Sequence, residues 1–158
     1  MTRFTATNTS SAVVAAPRSD IWAVLSDPGT LPKLTPLLTR IDADGDLWRW
    51  QLIRIAVLGV GIDTGFTERM RFEEGRRIDF SHEPPPGVVE RTGAEGTYEL
   101  SDVPGGTHLS IALTLHVELP LSRLATPAVT AAMRGTMRRT GERFATNLLR
   151  HLDVREPA

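Results

Sequence analysis

The chain has 158 residues, 41% of them hydrophobic and 23% charged, proportions of an ordinary globular domain that buries roughly 68–70% of its unfolded surface. A formal charge of -1 from 18 basic and 19 acidic residues excludes an overall electrostatic pull toward nucleic acid or anionic membrane and leaves only local patches. The absence of cysteine removes disulfides, thiol nucleophiles, iron–sulfur ligation and cysteine-rich zinc sites.

Residues 4–16, rich in Thr, Val and Ala and ending at Pro17, read as a long first strand. Pro17 then opens a helix with Asp20 near its positive end and Ile21, Val24 and Leu25 as its apolar stripe. Ser26-Asp27-Pro28-Gly29 breaks that helix, and Leu31, Leu34 and Leu37 among Pro32 and Pro36 suggest a second short one. From 38 to 119 the pattern changes to strands separated by turn residues, the mark of an antiparallel meander. Breaks fall at Asp44-Gly45-Asp46, Glu74-Gly75, Glu83 to Gly87 and Pro104-Gly105-Gly106, with a less distinct one at Gly59-Val60-Gly61. About seven strands result, a reasonable count for one sheet.

Alternation is clearest in the last strand, where Leu109, Ile111, Leu113, Leu115, Val117 and Leu119 share a face opposite His108, Ser110, Thr114, His116 and Glu118. The second face reads as wet. Phe66, Met70 and Phe72 similarly oppose Thr67, Arg69 and Arg71, with Glu68 on the apolar side. Gly93 and Gly96 suggest a bulge that leaves the facing of Tyr98 open. After Pro120 the period becomes helical: Val129, Met133, Met137, Thr140, Phe144 and Leu148 form one stripe, with Thr126 as a candidate cap and Pro127 in the first turn. No membrane-spanning run of ~20 apolar residues and no signal-peptide core at the start are present. A single cytoplasmic α+β domain over residues 1–158 is therefore expected.

The order of elements resembles the SRPBCC superfamily of START lipid-transfer and pollen-allergen domains. The run Ala16-Pro17-Arg18-Ser19-Asp20-Ile21-Trp22 through Pro28, then Leu31-Pro32, is similar to the opening of its polyketide cyclase/dehydrase-like branch, as are Gly96-Thr97-Tyr98-Glu99-Leu100 and Gly106-Thr107. The resemblance implies a helix-grip fold, in which a curved antiparallel sheet wraps a long C-terminal helix around an apolar cavity for lipids, polyketides or other hydrophobic molecules. It carries over no catalytic set, because these motifs identify scaffold more than chemistry.

Given such a cavity, its lining would comprise Trp50, Phe66, Glu68, Met70, Phe80, Tyr98, Leu113, Leu115, Met133, Met137 and Phe144. A stripe of this kind is more often plain core. Glu68 is the sharpest candidate acid/base, since desolvation among apolar neighbours would raise its pKa; at a strand end it would instead be hydrated or paired. Tyr98, the only tyrosine, could orient a ligand oxygen, and Arg54 shares the parity of Trp48, Trp50 and Leu52, so it could pair with Glu68 or face solvent. His108 and His116 stand about 26 Å apart at strand rise and cannot share an ion, so no metal is expected. No cofactor motif is present either: Gly59-Val60-Gly61 lacks the spacing of a dinucleotide loop.

The expected partner is a small hydrophobic molecule, with no nucleic acid, no stable membrane insertion, and a monomer or homodimer. Two alternatives stand beside binding: a cyclase or dehydratase using Glu68 with Tyr98 or Arg54, and a protein-interaction module on the same scaffold.

Overall fold

A computed structural model describes residues 1–57, 59–62 and 64–153; in the segments 55–57, 60 and 62 only the backbone is described. Strand β1 (Thr2–Val14) leads into helices α1 (Arg18–Leu25) and α2 (Leu31–Leu34). Strands β2 (Leu38–Asp44), β3 (Leu47–Leu52), β4 (Ile55–Val57), β5 (Val60–Ile62), β6 (Phe66–Glu73), β7 (Arg77–His82), β8 (Thr92–Val103) and β9 (Gly106–Leu119) follow. A single 3₁₀ turn (Arg123–Ala125) precedes the 26-residue helix α3 (Thr126–His151).

Seven strands form one antiparallel sheet in the order β1-β9-β8-β7-β6-β3-β2, while β4 and β5 pair as a separate small hairpin. The chain thus adopts the α+β helix-grip arrangement, a curved antiparallel sheet holding a long C-terminal helix, with two short helices after the first strand. Contacts at both sheet margins seat α3. It packs against β1, and on the other side the Asn147 side-chain amide donates to the Leu34 carbonyl at the end of α2 (2.9 Å). The apolar stripe supplies Val129, Met133, Met137 and Leu148 as its buried residues.

Several local readings are corrected by the coordinates. Pro17 is the residue before α1 rather than its first turn, and Leu37 lies outside α2, in a left-handed conformation (φ 72). Its carbonyl accepts the Ile53 N–H at 2.7 Å, which ties the α2–β2 corner to the end of β3. Thr126 does not cap α3: its hydroxyl donates back to the Arg123 carbonyl. Ser122 caps the 3₁₀ turn by accepting from the Leu124 N–H. Gly93 and Gly96 make no bulge, since β8 and β9 stay in continuous register from Thr92↔Val117 to Val103↔Gly106. Both glycines serve close approach instead. Phe80 lies over Gly96, its cross-strand partner, and the imidazoles of His82 and His116 lie over Gly93.

Candidate functional site

Strand parity brings one row of side chains to the concave face under α3. On β6, Glu68 stands between Phe66 and Met70, opposite Trp48 of β3 and His82 of β7. Trp50 stacks on its partner Phe66, with ring centroids 6.4 Å apart and planes 11° from parallel. Phe80 meets Tyr98 at 5.2 Å. Tyr98 pairs with Ile111 of β9 and so shares the face of Leu109, Leu113 and Leu115.

Beneath the helix the core divides into two clusters. The larger contains Met70, Ile78 and Phe80, with Trp50, Tyr98, Leu113 and Phe144 packed against it. The smaller contains Phe4, Val117, Val129, Met133 and Met137, with Leu113 and Leu115 against it. Phe66 is buried yet belongs to neither. Trp50, Tyr98, Leu113, Leu115 and Phe144, packed against one cluster or the other, are only partly buried. Leu113 packs against both clusters and joins them along the sheet–helix seam.

Two buried polar side-chain atoms on this face have no partner. Glu68 is 2% exposed, and its Oε2 has no hydrogen-bond partner, nor has the indole Nε1 of Trp50. Desolvation pushes the Glu68 carboxyl well above the usual carboxylate range, so a neutral acid is favoured there. Burial also pushes the Tyr98 phenol up, and the charge Glu68 would carry adds to it. These two groups therefore sense each other across the site, and each favours its protonated form. In their protonated forms the two groups present hydrogen-bond donors on an apolar wall.

Of the other site candidates, Arg54 lies elsewhere. Strand β3 ends at Leu52, and Arg54 is exposed on the approach to the β4–β5 hairpin; parity with Trp50 has no meaning once the strand has ended. The apolar stretch Ile53 to Ile62 forms that hairpin, most of whose side chains lie outside the described residues. Trp22 locks α1 onto the sheet through an edge-on contact with Phe72 at 6.2 Å.

The opposite face of the sheet is polar. Two open depressions there, of about 400 and 560 Å³, are bordered by residues such as Arg71, Asp79 and Thr114 in one case and Thr9, Arg77 and Ser110 in the other. Arg77 bridges Asp79 and Glu99 between them. Exposed ion-paired ladders of this kind are hydrated surface and offer little apolar area to a ligand.

His116 lies on the face that parity gives it, yet is buried rather than wet. The 83–91 segment explains it by covering the gap where β7 and β8 part. Glu90, nearly closed to solvent, accepts from the Thr67 N–H (2.8 Å), the Thr67 hydroxyl (2.8 Å) and Arg49 (3.1 Å), and lies 3.0 Å from His82 Nε2. The His82 and His116 rings meet at 4.9 Å. Burial pushes His116 below its ordinary pKa, with Arg3 and His82 adding to the effect. Glu90→Ala strands these donors, and a loss of about 2 kcal/mol in urea denaturation is expected; a variant as stable as the parent would show that water replaces the carboxylate. Among the described residues no group of three or more His, Asp or Glu could hold a metal ion, and no helix is long and apolar enough to cross a membrane.

Comparison with known proteins agrees with this architecture. None of the curated proteins matches the sequence. Among solved structures, a Thermus thermophilus protein superposes with a TM-score of 0.69 at 15% identity, over 92% of this chain and 96% of its own. A START superfamily protein from Mycobacterium smegmatis gives 0.65 at 18% identity, over 93% and 97%. The Zhui aromatase/cyclase from a Streptomyces species gives 0.65 at 14% identity, over 94% of each chain. At such identities these likenesses speak for fold alone. The family model described as polyketide cyclase/dehydrase and lipid transport matches residues 3–149, nearly the whole sequence, and the chain belongs to that family.

Proposed function

We propose that the protein binds a small, uncharged, hydrophobic molecule between the sheet and α3, and that the molecule carries an oxygen acceptor such as a carbonyl. The observation carrying this reading is the unpartnered pair of polar atoms, Glu68 Oε2 and Trp50 Nε1, on an otherwise apolar wall. Leaving a buried polar atom unpaired costs about 1–3 kcal/mol, and a bound acceptor would recover much of that. A charged ligand is disfavoured, because among the described residues no ion pair reaches Glu68 and the carboxyl itself favours neutrality. The partly open side chains of Leu113, Leu115 and Phe144 supply apolar area on the helix side. Organic extraction of the purified protein followed by mass spectrometry should yield one neutral apolar compound at near-stoichiometric amount. Recovery of nothing, together with unchanged Trp50 fluorescence across a panel of aromatic ketones and fatty acids, would sink the reading.

A second reading has its own support. A carboxylic acid held neutral can protonate a departing hydroxyl and then, as carboxylate, accept a proton, the pair of transfers that dehydration or cyclisation needs. Tyr98 stands within electrostatic reach to steady the developing oxygen charge. Glu68→Gln keeps hydrogen-bonding atoms but cannot exchange that proton. Loss of turnover with binding retained would assign Glu68 this role, and retention of both would leave binding alone.

A further inference from the structure

The sheet register fixes which connections share an end of the molecule. Thr2↔Leu119, Thr92↔Val117, Glu68↔His82 and Trp50↔Phe66 place the segments 53–65, 83–91 and 120–125 together at one strand-end edge. The turns at 45–46, 74–76 and 104–105 lie at the other. Large apolar side chains are unevenly divided between the two. At the first end Ile53 is 46% exposed, Val88 47%, Val89 79% and Leu124 91%. At the second, only Val13 and Phe72 are comparably open among the described residues.

Arginines stand among those apolar tips. Arg54 follows Ile53, Arg91 follows the Val88-Val89 loop, and Arg123 precedes Leu124; all three are exposed. Arg91 and Arg123 form no ion pair among the described residues. The carboxylates of the same loop are already engaged, Glu83 by Arg69 and Glu90 by Arg49. Glu118, half-buried, faces Arg3 across the β1–β9 ladder. By sequence Arg54 is offset by Asp63 of the same segment, so the positive excess at this end is that of Arg91 and Arg123.

We infer that this end is a docking surface for an anionic lipid bilayer, with Val88, Val89 and Leu124 entering the acyl boundary and Arg91 and Arg123 meeting phosphates. Charge complementarity favours a bilayer over a second copy of the chain, because a two-fold contact would set the same arginines against one another. The tips project from separate loops at single positions, as shallow insertion into an interface requires, rather than forming one flat patch. A hydrophobic molecule could then pass from membrane to protein without crossing water.

Sedimentation with vesicles of phosphatidylcholine, with and without phosphatidylglycerol, tests the inference. Binding should require the anionic lipid and weaken as salt rises. Each of Arg91→Gln and Arg123→Gln should reduce it about fivefold, the equivalent of ~1 kcal/mol per charge. Val89→Ser combined with Leu124→Ser should reduce it by about tenfold or more. These exposed sites leave the core intact, which circular dichroism verifies. No binding to anionic vesicles, binding indifferent to both sets of substitutions, or a Leu124-dependent dimer without vesicle binding would each overturn it. The assay needs no bound ligand, so an empty organic extract would count against the pocket and leave this result standing.

Discussion

Gly96→Ala is expected to lower stability by about 3 kcal/mol. A Cβ at position 96 would lie 2.1 Å from the Ala112 carbonyl oxygen and 2.7 Å from the Phe80 ring. The first contact is with backbone, held on both flanks by the continuous β8–β9 ladder, so relief requires the sheet itself to move. Gly93→Ala is the informative contrast. Its Cβ would meet imidazole atoms of His116 and His82 at 2.3 and 2.5 Å, and these are side-chain ends that can swing aside at about 1 kcal/mol. Urea denaturation of both variants should rank Gly96→Ala as clearly the less stable. The reverse order would mean that the His82–Glu90 anchor is stiffer than the ladder.

Replacing Glu68 should make the protein more stable and less functional. Glu68→Met keeps the volume while removing a buried polar atom without a partner, and a gain of about 1–3 kcal/mol at neutral pH follows. The gain should depend on pH in a definite direction. Unfolded Glu68 titrates near 4.5, whereas burial raises the folded value well above that. Between the two the folded protein holds the extra proton, so the wild type loses stability as pH rises through this window. Below 4.5 both states are protonated, and the pH-dependent part of the difference vanishes. Ligand affinity should move the other way, falling five- to tenfold in Glu68→Met for the loss of one hydrogen bond of about 1 kcal/mol, and recovering in Glu68→Gln. Glu68→Met with unchanged stability at every pH would mean that the carboxyl is hydrated in solution.

The two substitutions also separate parts of the site that the sequence reveals unequally. Glu68 is legible by alternation alone, because Phe66, Met70 and its own position share a parity that holds along an unbroken strand. Leu113 and Leu115 follow for the same reason, and Met133, Met137 and Phe144 from helical period. Tyr98 is ambiguous without coordinates, since a bulge at either nearby glycine would reverse its facing. Of the two readings open for Arg54, the structure shows the solvent-facing one, because parity with Trp50 ends at Leu52, where β3 stops. His116 is misread as wet: its facing is read rightly, but a separate segment anchored by Glu90 buries that face.

From the amino-acid order came the element sequence, the seven-stranded count and the apolar stripe of the final helix, all consequences of local periodicity and turn chemistry that neighbouring residues report on directly; the family came from the resemblance of its opening motif. Tertiary structure decided what periodicity cannot carry: that the core beneath α3 splits into two clusters, that Glu68 and Trp50 lack partners there, and that Glu90 closes over His82 and His116. Each of these depends on which distant segments meet, and a side chain's solvation is set by those neighbours in space rather than along the chain.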